Sequence, residues 1–144
     1  MKLEDIFDEW EKDSKIDRQI LDQEVLAIST LHAKYHKIFT YERLSLKKLE
    51  AELKELKLLK FEFYTQGPTK EAIDAGWRLP PIGKVLKADA GNYVDADRDI
   101  INLTLKIGLQ HEKITLLESI IRTLQNRGYN IKSAIDFIKF TAGV

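Results

Sequence analysis

The chain contains no cysteine. That excludes a disulfide framework and any thiolate metal site, and makes a reducing cytoplasmic compartment the natural expectation. It has three histidines; only His32 and His36 stand at helical spacing, and Glu42 lies more than a turn away, so the third ligand of a metal site is missing. Both are read as seam and surface residues. The glycines are scattered and never open a helix after a strand, which leaves no phosphate-cradling loop. The carboxylates all fall on charged stretches with basic neighbours, so no buried acid–base pair can be singled out. No catalytic residue, metal ligand or cofactor is therefore expected, and the chain is not read as an enzyme. No apolar run approaches the ~20 residues of a membrane span, and the opening MKLEDIFDEW is acidic where a secretory signal would be basic and then apolar. Neither membrane insertion nor export is expected. The formal net charge is +0, which argues against a strongly basic polyanion binder while leaving room for local patches.

Proline and glycine are also missing from the longest uniform stretch, Asp17 to Tyr64. Every seventh residue there reads Leu21, Ile28, Tyr35, Glu42, Leu49, Leu56 and Phe63, with Val25, His32, Phe39, Leu46, Leu53 and Lys60 in the companion register. Only Glu42, His32 and Lys60 interrupt this heptad stripe. Such a helix would extend about 70 Å at roughly 1.5 Å per residue, so it must find a partner. Asp17 is an N-cap candidate, and Gln66, Gly67 and Pro68 end the element.

The fold class is all-α. The expectation is a long helical hairpin with a Gly/Pro-rich connector and a short C-terminal helix, in a single domain covering 1–144. Its parts are an amphipathic N-terminal helix (1–16), the long helix (17–64), the connector (65–94), a second long helix (95–127) and a C-terminal helix (129–144). In the first, Leu3, Ile6, Phe7 and Trp10 share a face amid acidic residues; they cover the long helix or dock another protein. In the connector, Thr69 caps a short helix through Asp74, the tract Trp77 to Ile82 is extended, and Lys84 to Asp89 is ambiguous between strand and helix. The second long helix is apolar around much of its circumference, from Ile100 through Ile107, Ile114 and Ile121 to Leu124, which calls for cover from other subunits. Gly128 is expected to end it as a C′ residue, with Asn130 capping the last helix. That helix carries Ile131, Ile135, Phe137, Ile138 and Phe140, an apolar load poorly explained in a monomer, and these five are the expected oligomerisation residues.

From Tyr41 to Lys60 the long helix is densely charged. Glu50 with Lys54 and similar pairs give a solvated face laced with weak ion pairs. The last turns differ: in Leu56-Lys57-Leu58-Leu59-Lys60-Phe61-Glu62-Phe63-Tyr64 two lysines stand among three aromatics. Lys60 lies on the seam, where a lysine specifies register, snorkels, or lines a basic surface on which rings stack against bases.

The opening Met1-Lys2-Leu3-Glu4-Asp5, this Leu56 to Tyr64 tract, the Lys84-Val85-Leu86-Lys87-Ala88-Asp89 connector and the turn Arg127-Gly128-Tyr129-Asn130-Ile131-Lys132 together resemble the UvsY family of T-even-type phages. The resemblance spans nearly the whole chain in length and order. It implies a recombination mediator: helical subunits forming a heptameric, ring-like homo-oligomer that binds single-stranded DNA, contacts the phage single-strand-binding protein, and helps a UvsX-like recombinase load, in the host cytoplasm. The family's basic and aromatic segment carries over onto Lys57 or Lys60 with Tyr64, and Lys54 belongs to the same stretch. The chain departs from the family in having Leu58 two residues before Lys60, so its basic pair is spaced three apart. A ring that repeats a weak site gains by avidity what a neutral subunit lacks in charge. The alternative is a coiled-coil scaffold that binds only proteins.

Overall fold

The computed structural model describes residues 1–143 and is all-α, with no strand among them. Its helices are α1 (Leu3–Asp13), α2 (Leu21–Gln66), α3 (Lys70–Asp74), α4 (Lys87–Ala96) and α5 (Arg98–Thr141), with a 3-10 turn at Arg18–Ile20 ahead of α2. The chain forms two compact units. One comprises Met1–Leu44 and the chain from Gln110 onward, the other Ser45–Leu109, and α2 and α5 each contribute to both.

In the first unit α1 packs on α2 and α5. Ile6, Tyr35, Leu117, Ile120 and Leu124 form the buried core, with Trp10, Leu31 and Phe39 packed against it. The Trp10 and Tyr35 rings meet edge to face, 5.6 Å between centroids. Phe7, expected on the covering face of α1, is instead 52% exposed. Arg127 holds the end of α1: its Nη2 donates to the carbonyls of Asp13 and Ser14, both at 2.8 Å. A cation there satisfies two carbonyls the helix leaves open and complements the negative end of its dipole.

In the second unit the connector folds back on the end of α2. Phe63, Tyr64, Ala72, Val85, Ala90, Val94 and Ile100 make its core. Helix α2 stops where Gly67 takes φ +99, a left-handed conformation that costs glycine little. Thr69 caps α3, its side chain accepting from the backbone N–H of Ala72 at 3.1 Å, as expected. The Lys84–Asp89 ambiguity resolves into the approach to α4, which starts at Lys87.

The expected break at Gly128 does not occur. Helix α5 runs on to Thr141, and Gly128 and Asn130 lie inside it. A mid-helix glycine costs about 1 kcal/mol relative to alanine. Leu124, Arg127 and Ile131, each at most 3% exposed, bury the side that packs, which outweighs that cost. A Cβ added at Gly128 would lie 3.8 Å from the Ile28 side chain, so there is room for a methyl group there in ordinary contact with α2.

Candidate nucleic-acid interface

Along α2 Lys54 stands three and four residues before Lys57 and Leu58, and Phe61 four and three residues after them, so the four share a helix face. Lys54 and Lys57 are exposed, Leu58 is 59% exposed, and Phe61 is half-buried against the core of the second unit. Two ammonium groups one turn apart beside exposed apolar surface can meet a phosphate backbone and offer a platform to an unstacked base. Lys47 continues this face two turns earlier.

Lys60 and Tyr64, both expected to contact DNA, point the other way. Lys60 is 2% exposed. Its Nζ lies 2.8 Å from Asp99 Oδ2 and 3.2 Å from Asp97 Oδ2, and 3.7 Å from the centroid of the Trp77 ring. Tyr64 Oη donates to Asp97 Oδ2 at 2.7 Å, and the Tyr64 carbonyl accepts from the Val85 N–H. The step from Lys57 to Lys60 carries the chain from the outer face to the seam that packs inward. An ammonium buried there is tolerable because two carboxylates and an aromatic face replace its water. In this subunit Lys60 and Tyr64, expected to contact DNA, are thus turned inward as struts between the end of α2, the connector and the start of α5.

The charges of this strut follow from its packing. Burial works against the charged form of Asp97, but hydrogen bonds from Tyr64 and Lys60 and the Lys60 charge outweigh it and hold its carboxyl below the usual carboxylate range. Burial, and then the hydrogen bond to Asp97, push the Tyr64 hydroxyl well above the usual phenol value. Asp97 also serves the helix that follows it, its Oδ1 accepting from the N–H groups of Asp99 and Ile100.

The first unit contains two comparable networks. Glu42, a polar seam position like Lys60, is 7% exposed; Gln110 Nε2 donates to its carbonyl at 2.7 Å and to its Oε2 at 2.6 Å, and Lys113 stands 3.7 Å from that carboxylate. Lys34 Nζ donates to Glu9 and Asp13, both at 2.7 Å, and Tyr35 Oη donates to Asp13 at 2.8 Å. Arg127 and Trp77 stand in the sequence only as members of a turn and of an extended tract, with no partner assigned, because each finds its partners elsewhere along the chain. The His32 and His36 rings stack 5.8 Å apart. Among the described residues no group of three or more metal-ligating side chains is close enough to hold an ion.

Of the expected oligomerisation residues, Ile131 is 2% exposed and belongs to the subunit's own interior, and Ile135 is half-buried. Phe137, Ile138 and Phe140 are 66%, 45% and 82% exposed. They leave an apolar surface at the end of α5. Among the described residues, no helix is long and apolar enough to cross a membrane.

A family model described as "Recombination, repair and ssDNA binding protein UvsY" matches residues 9–144. Among solved structures, two crystal forms of the bacteriophage T4 recombination mediator protein UvsY superpose with TM-scores of 0.83 and 0.79. Each is 20% identical in sequence; the first match covers 99% of this chain and 98% of that one, the second 98% and 99%. At this identity the likeness establishes a shared fold. No curated protein sequence matches the chain.

Proposed function

The chain belongs to the UvsY family, and from that membership we propose that it is a recombination mediator. It binds single-stranded DNA as a homo-oligomer, a heptamer by resemblance, and promotes loading of a RecA-like recombinase onto DNA covered by single-strand-binding protein, in the cytoplasm of the infected host. The observation that carries this reading is the family match across residues 9–144. The structure supports a location for the DNA contact, with Lys54 and Lys57 exposed beside Leu58 and Phe61.

A subunit of net charge +0 holds a polyanion weakly through two or three lysines. Repeating the face around an oligomer makes each further contact intramolecular and supplies affinity by avidity. Phe137, Ile138 and Phe140 are the residues best placed to join subunits, since burial against a neighbour would remove their apolar surface from water. No bond need be made or broken: an oligomer that favours one strand geometry shifts the competition between the two partner proteins for the strand.

The test is recombinase loading. Single-stranded DNA saturated with single-strand-binding protein is given a RecA-like recombinase and ATP, and filament assembly is timed with and without this protein. A shortened lag supports the mediator role. An unchanged lag, with partner binding intact, supports the protein-only scaffold instead.

A further inference from the structure

Beside the end of α2, within the Ser45–Leu109 unit, lies a cleft of about 410 Å³. Phe63 and Trp77 line it and meet edge to face, 5.5 Å between centroids; Leu59, 52% exposed, and Gly67 line it too. Two charged side chains line it, Glu62 and Glu71, and both are exposed carboxylates. Lys84 packs against Gly67 next to this cleft. Neither Lys54 nor Lys57 is among the lining residues.

We propose that this cleft docks a segment of another protein that presents an apolar side chain flanked by arginine or lysine. Charge complementarity decides the class: phosphate would meet Glu62 and Glu71 and be repelled, whereas a guanidinium or ammonium would pair with them. The aromatic and leucine surface accepts the apolar neighbour. The Trp77 face turned to Lys60 is already taken by that ammonium, 3.7 Å from the ring centroid, so the incoming cation pairs with the carboxylates. The partner class rests on the mediator reading, because proteins that act on the same DNA must expose arginine and lysine. The cleft recognises the feature those proteins use to hold phosphate, so a partner docked here would release the strand at those residues.

The test uses the full chain without DNA. The probe is a fluorescent pentapeptide with leucine between two arginines and glycine at each end, followed by anisotropy against protein concentration. A peptide with glutamates in place of the arginines is the control. The arginine peptide should bind and the glutamate peptide should not. Changing Glu62→Gln with Glu71→Gln should weaken binding about fivefold, as expected for the loss of two exposed ion pairs. Leu59→Ser should weaken it as well, and circular dichroism should show both variants fully helical. Single-strand affinity of the Glu62/Glu71 variant should not fall, so failure here is separable from failure of the recombinase-loading assay. The proposal is overturned if affinity is unchanged in both variants, or if it follows Glu4→Gln with Asp8→Asn on α1. It is equally overturned if saturating peptide lowers the oligomer mass, which would make the cleft a contact between copies.

Discussion

The Lys60 ammonium stands 3.7 Å from the centroid of the Trp77 ring, joining the last turns of α2 to the connector. Asp97 and Asp99 complete the enclosure from the start of α5. Three segments distant in sequence therefore depend on one cation.

Replacing that cation should cost stability without removing a phosphate contact. Lys60→Met leaves Asp97 buried beside Tyr64 with no counter-charge, and breaking a buried pair from one side costs about 3 to 5 kcal/mol. The half-exposed Asp99 can turn to water, so a value near the lower end is expected. Urea unfolding followed by circular dichroism measures it. In parallel, the salt slope of single-strand binding should match the wild type below the unfolding midpoint; a flatter slope would mean that Lys60 touches phosphate after all.

The outer face behaves in the opposite way. Lys54→Ala with Lys57→Ala should leave the unfolding free energy from urea titration within about 0.5 kcal/mol of wild type, as surface changes do. Single-strand binding should weaken strongly, because in the proposed oligomer the loss would recur in every subunit. The salt slope should fall by about 0.7 for each phosphate contact removed. Anisotropy titrations from low to high salt decide it, with Lys48→Ala as the comparison, since Lys48 is exposed but lies about 120° around the helix from Lys54.

Acid should unfold the protein through carboxylates that are buried or partly buried and hydrogen-bonded. Asp97, Asp13 and Glu42 all have folded-state values below their ordinary ones of 3.8, 3.8 and 4.5. In each case burial opposes the shift, and hydrogen bonds and neighbouring cations overcome it. A group depressed on folding contributes its stability in full above its unfolded value and loses it as pH falls through the folded one. Urea midpoints should thus be level from pH 7 to about 5 and drop below about pH 4. Asp97→Asn, less stable at neutral pH, should show a shallower drop; an identical acid limb would remove Asp97 from the account. On the alkaline side the raised hydroxyls of Tyr35 and Tyr64 contribute fully below about pH 10 and lose that contribution as pH rises further.

The end of α5 should govern assembly rather than folding. Phe137→Ser with Phe140→Ser changes two exposed side chains, so helicity should persist while the mass by analytical centrifugation falls. Cutting the chain after Gly128 is the poorer experiment, because it removes Ile131, which is 2% exposed and part of the interior. Full-length mass in the Phe137/Phe140 variant would move the subunit contact elsewhere.

Much of the fold is legible along the chain because its causes are local. The heptad stripe, the lack of proline and glycine from Asp17 to Tyr64, the stop at Gly67 and the Thr69 cap act within a few residues, and helix boundaries follow. The polar interruptions at Glu42 and Lys60 were also visible. A charge on an apolar seam signals a buried partner, but the partners Gln110, Asp97 and Asp99 cannot be read from spacing. Gly128 misled for the same reason: its local preference is to end a helix, and the burial of Leu124, Arg127 and Ile131 on either side of it decides otherwise.

By itself the sequence determined an all-helical chain with one interrupted seam, a glycine- and proline-marked turn, and a basic, aromatic end to the long helix. Periodicity and backbone preference act over one or two turns and suffice for that. Only the tertiary structure decided which lysine faces water. Lys57 and Lys60 are three residues apart, about 60° around a helix, and which side of that arc is covered depends on where Trp77, Asp97 and Asp99 are carried by the connector. Burial is a property of the packed chain, and it sends one lysine of the pair outward, where DNA can reach it, and closes the other inside.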